Sequence, residues 1–177
     1  VNALSLTVLP DLRVIYIERE GNVKLYDPGT GSISIIASLD VHSNHEDGLL
    51  GIVLDPDFAT NHFIYLFYSP EGPDPVQHVS RFEFVDDVLD LSTEEILLVI
   101  PVQRNNCCHS GGDLEFDSEG NLYISTGDNT NPFESDGFTP IDERPGRSDY
   151  DAQGTSANTH DLRGKILRIK PEPDGGY

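Results

Sequence analysis

Short runs in which apolar and polar residues alternate make up most of the chain. The first unit contains four such runs, at 4–8, 13–19, 22–26 and 32–37. Turn residues separate them: Pro10-Asp11, Glu20-Gly21 and Asp27-Pro28-Gly29. A period of two is typical of β-strands, and no segment keeps an apolar helical face over three turns. The pattern therefore predicts a four-stranded antiparallel meander with very little helix.

The same pattern then returns twice. Further runs lie at 49–54, 63–68, 79–84 and 95–100, and then at 113–116, 121–125 and 165–170. A long polar insertion, 127–160, interrupts the last unit, whose fourth strand is missing. The aligned residues Tyr16, Tyr65 and Tyr123 fall 49 and 58 positions apart. A four-stranded unit that recurs at roughly 40 to 50 residues is typical of a β-propeller blade.

We therefore predict an all-β fold with approximate blades at 4–40, 48–102 and 111–177, the last incomplete. A β-sandwich is the alternative, since sandwiches also have regular short strands. Propellers close with about four to eight blades, so we expect the remaining blades to come from the same parent chain or from other chains. The sequence begins at Val1 and contains no methionine, and we expect any leader peptide to have been removed or to lie outside it.

The charge of the chain is strongly negative. Among 177 residues, 31 are acidic and 11 basic, which gives a formal net charge of −20. A polyanion would be repelled, so nucleic acid is excluded as a partner. No run approaches the roughly 18 apolar residues of a membrane span. The acidic excess fits a well-solvated surface, and it also fits carboxylates that bind calcium or suit high salt.

The stretch 104–113 is the strongest candidate for chemistry. In it a histidine, His109, lies between the adjacent cysteines Cys107 and Cys108 and the pair Gly111-Gly112. The stretch leads into a predicted strand, where a rigid scaffold presents side chains to a ligand. Adjacent Cα atoms are about 3.8 Å apart, closer than the usual range for a disulfide, so free thiols are favoured for an arbitrary pair of this kind.

Four segments together resemble the soluble glucose/sorbosone dehydrogenase family, the sugar dehydrogenases that depend on pyrroloquinoline quinone (PQQ). They are Glu-Asp-Gly-Leu-Leu-Gly-Ile-Val-Leu-Asp-Pro-Asp-Phe at 46–58, His-Ser-Gly-Gly-Asp-Leu at 109–114, Gly-Asn-Leu-Tyr-Ile-Ser-Thr-Gly-Asp at 120–128 and Arg-Gly-Lys-Ile-Leu-Arg-Ile at 163–169. They occur in the family's order and cover nearly the whole chain. The resemblance implies a six-bladed propeller, about half of it present here, with PQQ over the central tunnel.

The resemblance also implies roles for individual residues. His109 matches the histidine that acts as general base on the anomeric hydroxyl of the sugar while hydride passes to PQQ. Glu46 lies where the glucose dehydrogenases place a glutamine near the cofactor, and Cys108 replaces an aspartate. Some other quinoproteins carry a disulfide between adjacent cysteines against the PQQ ring. By that analogy, a Cys107–Cys108 bridge and free thiols are both open alternatives here. We thus predict cofactor contacts for Glu46, Cys107 and Cys108, and an extracellular or periplasmic location.

The resemblance leaves other features open. The family's later Arg-Asn-Pro motif and its distal cations have no match before Tyr177, so we do not expect this segment alone to turn over sugar. The sugar and the electron acceptor are not specified. The insertion is dense in oxygen ligands, and we predict a calcium site at Asp128, Asn129 and Asp136; ordinary turns stabilised by their own side chains are the alternative.

Two further functions compete with the sugar dehydrogenase. One is a non-catalytic, calcium-binding propeller module for ligand binding or surface assembly. The other is a calcium-dependent hydrolase such as a lactonase, which needs acidic and amide side chains from several blades around one ion. The Cys-Cys-His-Ser-Gly-Gly stretch does not favour the hydrolase.

Overall fold

The computed structural model describes residues 2–133 and 135–177, and its strands form three antiparallel sheets. The first sheet consists of β1 (Ala3–Val8), β2 (Val14–Glu18), β3 (Asn22–Asp27) and β4 (Ser32–Ser38). The second consists of β5 (Leu49–Leu54), β6 (Phe63–Tyr68), β7 (Val76–Val85) and β8 (Val88–Pro101). The third consists of β9 (Gly111–Phe116), β10 (Leu122–Thr126) and β11 (Ile166–Ile169). One short helix, α1 (Phe58–Asn61), and a 3₁₀ turn, Ser148–Tyr150, also occur.

Each sheet pairs its strands in chain order, so the predicted meanders are confirmed. The largest difference from the sequence pattern concerns β8, which was expected over 95–100 and begins instead at Val88. Asp86 and Asp87 both have positive φ angles, 52° and 62°, and make a tight two-residue hairpin. In the first half of β8, Leu89 is buried, whereas the other residues of 88–92 are exposed, so this half shows little of the alternating burial that marks a strand.

Two apolar layers hold the three sheets together. Because β5 packs against β1 and β2 on one side and against β9 on the other, the middle sheet is buried on both faces. Along β6, Ile64 and Leu66 belong to the layer shared with the first sheet, whereas Tyr65 and Phe67 belong to the layer shared with the third. Successive strand residues point to opposite faces, and this alternation explains why β6 is apolar throughout.

The connections between strands lie at two opposite edges of the sheets. The turn edge carries the connections at 9–13, 28–31, 55–62, 86–87 and 117–121. The site edge carries those at 19–21 before β3, 39–48 before β5, 69–75 before β7, 102–110 before β9 and 127–165 after β10. The division into blades at 4–40, 48–102 and 111–177 stays a prediction, with which the three sheets agree. In the part of the chain described, no helix has the length and apolar character needed to cross a membrane.

Candidate functional site

His109 lies at the site edge, directly before β9. The chain on either side of it continues the β9–β10 pairing: the N–H of Asn129 donates to the His109 carbonyl (3.2 Å), and the N–H of Gly127 donates to the Ser110 carbonyl (3.2 Å). A Cβ atom at Gly127 would overlap the carbonyl oxygen of His109, so only glycine allows this close approach. The backbone of His109 is left-handed, with a φ of 61°.

The side chain of His109 makes one strong polar contact. Its Nδ1 lies 2.8 Å from Oδ1 of Asp128, and 45% of the side chain is exposed. A carboxylate accepts hydrogen bonds and cannot donate one, so the proton of the neutral ring resides on Nδ1. The N–H of Thr130 also donates to Oδ1 of Asp128 (3.0 Å) and fixes that carboxylate. This leaves Nε2 of His109 as a hydrogen-bond acceptor toward solvent.

Glu46 reaches the same histidine from the neighbouring blade. The His109 backbone N–H donates a short hydrogen bond to Oε2 of Glu46. The loop that carries Glu46 is held by Arg19, whose guanidinium donates to the carbonyls of Ser43, His45 and Asp47 at 2.9, 2.7 and 3.2 Å. The loop therefore links Arg19, which follows β2, to His109, which precedes β9. An open cavity of about 550 Å³ borders Glu46 and Gly111, but His109 and Asp128 do not line it.

Cys107 and Cys108 are joined by a disulfide in the structure, which agrees with the bridge expected by analogy. Cys108 is buried, and Cys107 is half-buried. The segment before them is tied down by Gln103: its backbone N–H donates to Oδ1 of Asn129 (2.6 Å), and its side-chain amide donates to the carbonyls of Asn106 and Asn129 (both 3.0 Å). The disulfide thus lies on a well-anchored segment next to the exposed histidine.

The insertion contacts this segment through Asn106. The side chain of Asn106 donates to Oδ2 of Asp149 (3.2 Å), and Tyr150 donates its hydroxyl to Oδ1 of Asn106 (3.3 Å). Within the insertion, Arg144 pairs locally: its Nε lies 2.8 Å from Oδ1 of Asp142. That hydrogen-bonded ion pair lowers the pKa of Asp142. Arg144 therefore stabilises the fold of the insertion itself. The insertion also places polar side chains beside Asn106.

The structure does not bring the three predicted calcium ligands together. Asp128 bonds to His109; both polar atoms of the Asn129 side chain bond to the backbone of Gln103; and Asp136 accepts from Nη1 of Arg144 at 3.2 Å. Within residues 2–133 and 135–177, no group of three or more His, Cys, Asp or Glu side chains is arranged to hold a metal ion. The calcium site in the insertion gains no support from this geometry and stays a prediction.

Sequence reasoning missed the pairing of Asp128 with His109, although a signal for it existed. Asp128 follows β10 as closely as His109 precedes β9. Because adjacent strands of a meander are antiparallel, a residue just after one strand lies beside a residue just before its partner. The register of the predicted hairpin therefore placed the two side chains at the same edge.

Comparisons with known proteins agree with this architecture. A family model described as Glucose / Sorbosone dehydrogenase matches residues 2–176. Aldose sugar dehydrogenase YliI of Escherichia coli is 28% identical over 169 residues, which cover 93% of this chain and 40% of that protein. Quinoprotein glucose dehydrogenase B of Acinetobacter calcoaceticus is 25% identical, over 90% of this chain and 35% of that protein. The chain thus spans about two fifths of these relatives.

A solved structure supports the fold independently. The PQQ-bound form of an aldose sugar dehydrogenase from Streptomyces coelicolor superposes with a TM-score of 0.74 at 24% identity, over 98% of this chain and 47% of that one. The three sheets therefore correspond to blades of the propeller found in such dehydrogenases, and the predicted fold class is confirmed.

Proposed function

Because the chain belongs to the Glucose / Sorbosone dehydrogenase family, we propose that it forms part of a PQQ-dependent sugar dehydrogenase in which His109 is the general base. The observation that carries this proposal is the His109–Asp128 pair at the site edge, with Nδ1 and Oδ1 2.8 Å apart. The chain's own residues thereby supply a base with a defined tautomer, an exposed acceptor nitrogen and a neighbouring negative charge.

The geometry supports the role proposed for His109. Oxidation of a sugar hydroxyl releases two electrons with the carbon-bound hydrogen, and it releases the hydroxyl proton separately. Nε2 of the neutral ring accepts that proton, and Asp128 stabilises the imidazolium that results. Bound PQQ supplies the two-electron acceptor. The carbonyl of His109 accepts from Asn129 and its N–H donates to Glu46, which holds the backbone, and the bond from Nδ1 to Asp128 holds the ring.

The residues present fit one side of a PQQ site. The disulfide of Cys107 and Cys108, whose Cys107 is half-buried, offers a polarizable surface for a flat ring. Glu46 fits less simply, because its carboxylate repels an anionic cofactor unless a cation such as calcium lies between them. Arg19 donates to carbonyls, so we propose that the cations for the cofactor's carboxylates come from the remaining blades.

The function of the whole protein follows from this proposal. The substrate is an aldose sugar, the protein acts outside the cytoplasm, and the electron acceptor stays open. The competing function is a non-catalytic propeller module in which His109 has no substrate. The two differ in one measurable property, namely whether the complete propeller binds PQQ and passes electrons to it from sugar.

The test uses the complete propeller that contains these residues, with PQQ and calcium added and aldoses as substrates. We expect the absorbance of bound PQQ to change on addition of sugar in the wild type, and His109→Ala to bind PQQ but to react at least about 10²-fold more slowly. His160→Ala, at an exposed histidine of the insertion, is the matched control and should react like the wild type. If no PQQ binds, the dehydrogenase proposal is overturned and the binding module takes its place.

A further inference from the structure

A buried carboxylate behind His109 has no part in the mechanism described so far. Asp47 follows Glu46 in the chain, and it is 7% exposed. Three neutral side chains converge on its Oδ1: the hydroxyls of Ser69 and Ser110 at 3.0 and 3.1 Å and the amide of Gln77 at 3.4 Å. Burying a charge without partners costs free energy. The three donors therefore stabilise the buried carboxylate of Asp47.

The donors belong to three different segments of the site edge. Ser69 follows β6, Gln77 lies in β7, and Ser110 lies between His109 and β9. All three are buried, with exposed fractions of 0%, 2% and 5%. Asp47 therefore couples the middle blade to the residue that directly follows the proposed base.

Consecutive residues of one loop thus hold His109 from two sides. Glu46 accepts the N–H of His109 itself, and Asp47 accepts the hydroxyl of Ser110. The left-handed backbone at His109 is uncommon for a residue other than glycine and persists where surrounding contacts determine it. Without the bond from Ser110, this turn would keep its contacts with 127–130, with Glu46 and with the anchored segment before it, but it would lose its tie to Asp47.

We infer that Asp47 is a positioning residue for the base: through the Ser110 hydroxyl it sets the backbone, and hence the ring direction, of His109. The reaction-rate part of this inference rests on the proposed function, whereas the structural part does not. A displacement of a reacting group by about 1 Å can cost as much as about 10²-fold in rate, so a bond that holds the turn affects catalysis without touching substrate.

Two serine variants separate positioning from general stability. Ser110→Ala and Ser69→Ala each remove one buried hydroxyl from the same oxygen of Asp47, and only Ser110 adjoins His109. In the complete protein without cofactor, we expect Ser110→Ala to speed hydrogen exchange of the backbone amides at 107–112, and Ser69→Ala to leave that segment protected. Equal effects of the two variants on 107–112, or no effect of Ser110→Ala, would overturn the inference.

Turnover supplies the second readout. In PQQ-loaded protein, Ser110→Ala should lower kcat about tenfold with KM changed less than about twofold, because a misdirected base slows proton removal and leaves sugar binding intact. Asp47→Asn keeps an acceptor oxygen and should retain most of kcat, whereas Asp47→Ala should not. An Asp47→Asn variant as slow as Asp47→Ala would contradict the role of the acceptor.

The two proposals fail in distinguishable ways. If the wild type does not oxidise sugar and the exchange difference between the serine variants still appears, the proposed function is wrong and the positioning of His109 stands. If sugar is oxidised and the two serine variants behave alike in both exchange and kcat, the positioning role is wrong and the proposed function stands.

Discussion

The two edges of the blades use acidic side chains in different ways. At the turn edge, several carboxylates bond within their own turn: Asp117 accepts the N–H groups of Glu119 and Asn121 (both 2.9 Å), and Asp27 accepts the N–H of Gly29 (2.7 Å). Asp87 differs, since it also accepts from Nη1 of Arg13 at 2.7 Å across 74 positions. At the site edge, Glu46 reaches His109 across 63 positions of the chain, and Asp128 reaches it across 19. The turn edge closes most of its turns locally, whereas the site edge brings side chains from distant segments to one exposed histidine.

This difference has a physical consequence. A side chain that bonds two residues away stabilises a turn whose shape the local sequence already favours. A side chain that bonds to another blade depends on how the blades pack, and its loss disturbs residues far away in sequence. We therefore expect substitutions at the turn edge to change stability with little effect on chemistry, and substitutions at the site edge to change chemistry.

The largest effect is expected at Gly127. The Cβ atom of Gly127→Ala would overlap the His109 carbonyl oxygen, so β10 and the segment before β9 must separate. We expect a loss of unfolding free energy of about 3 kcal/mol or more together with loss of turnover, measured by denaturant unfolding and by PQQ reduction.

Gly120, in the turn between β9 and β10, is the matched control at the turn edge. Its φ is 78°, and an added Cβ would meet no atom within 4 Å. Gly120→Ala should therefore cost only the left-handed backbone penalty, about 1 to 2 kcal/mol, and keep its activity. If Gly127→Ala and Gly120→Ala lost similar amounts of unfolding free energy, crowding against the His109 carbonyl would not be the reason why position 127 requires glycine.

Asp128→Asn is expected to have the next largest effect, and to have it on rate. The amide keeps the size of the side chain but removes the charge that stabilises protonated His109. We expect kcat to fall about 10²-fold or more, while the free energy of unfolding changes by less than about 1 kcal/mol. Stopped-flow reduction of bound PQQ measures the first quantity and thermal unfolding the second. An unchanged kcat would show that the charge of Asp128 does not assist His109 as a base.

Asp55 tests the same comparison from the turn edge. Its carboxylate accepts the side-chain amide of Asn61 and the hydroxyl of Tyr65, both at 2.8 Å. Burial raises the pKa of Tyr65, and Asp55 raises it further. The Tyr65 hydroxyl therefore stays protonated, and without Asp55 it would lose its hydrogen-bond acceptor. We expect Asp55→Ala to lower the unfolding free energy by about 1 to 3 kcal/mol and to leave kcat within about twofold. A fall in kcat as large as that of Asp128→Asn would remove the distinction between the edges.

The same contrast explains what the sequence could predict. The turns could be predicted because residues such as Asp27-Pro28-Gly29 favour the backbone conformation of a turn. The strands β5 and β6 were predicted with their observed bounds. The start of β8 was not, since Leu89 is the one buried residue within 88–92 and a single buried position does not mark a strand. His109 was identified from its neighbours in the chain, and its bond to Asp128 could have been inferred from the register of the predicted hairpin. The convergence on Asp47 depends on blade packing, which local patterns do not encode.

The smallest expected effect is a pH dependence at the turn edge. Hydrogen bonds from the side chain and backbone N–H of Asn121 lower the pKa of Asp117 below its ordinary value of 3.8. A carboxyl group whose pKa is lower in the folded state contributes stability that is fully present above the unfolded pKa and is lost as pH falls through the folded pKa. The Tm difference between wild type and Asp117→Asn should thus be constant from about pH 7 to 5 and shrink below about pH 4.

Leu122→Ala is not a suitable control for this effect, because its side chain is fully buried and its removal would lower Tm at every pH. Glu119→Gln is suitable, since only the backbone N–H of Glu119 bonds to Asp117, and its side chain is exposed. Its Tm should follow the wild type across the same pH range. A Tm difference for Asp117→Asn that persists unchanged to about pH 2 would mean that Asp117 acts through its shape rather than its charge, and the turn edge would then depend on local geometry alone.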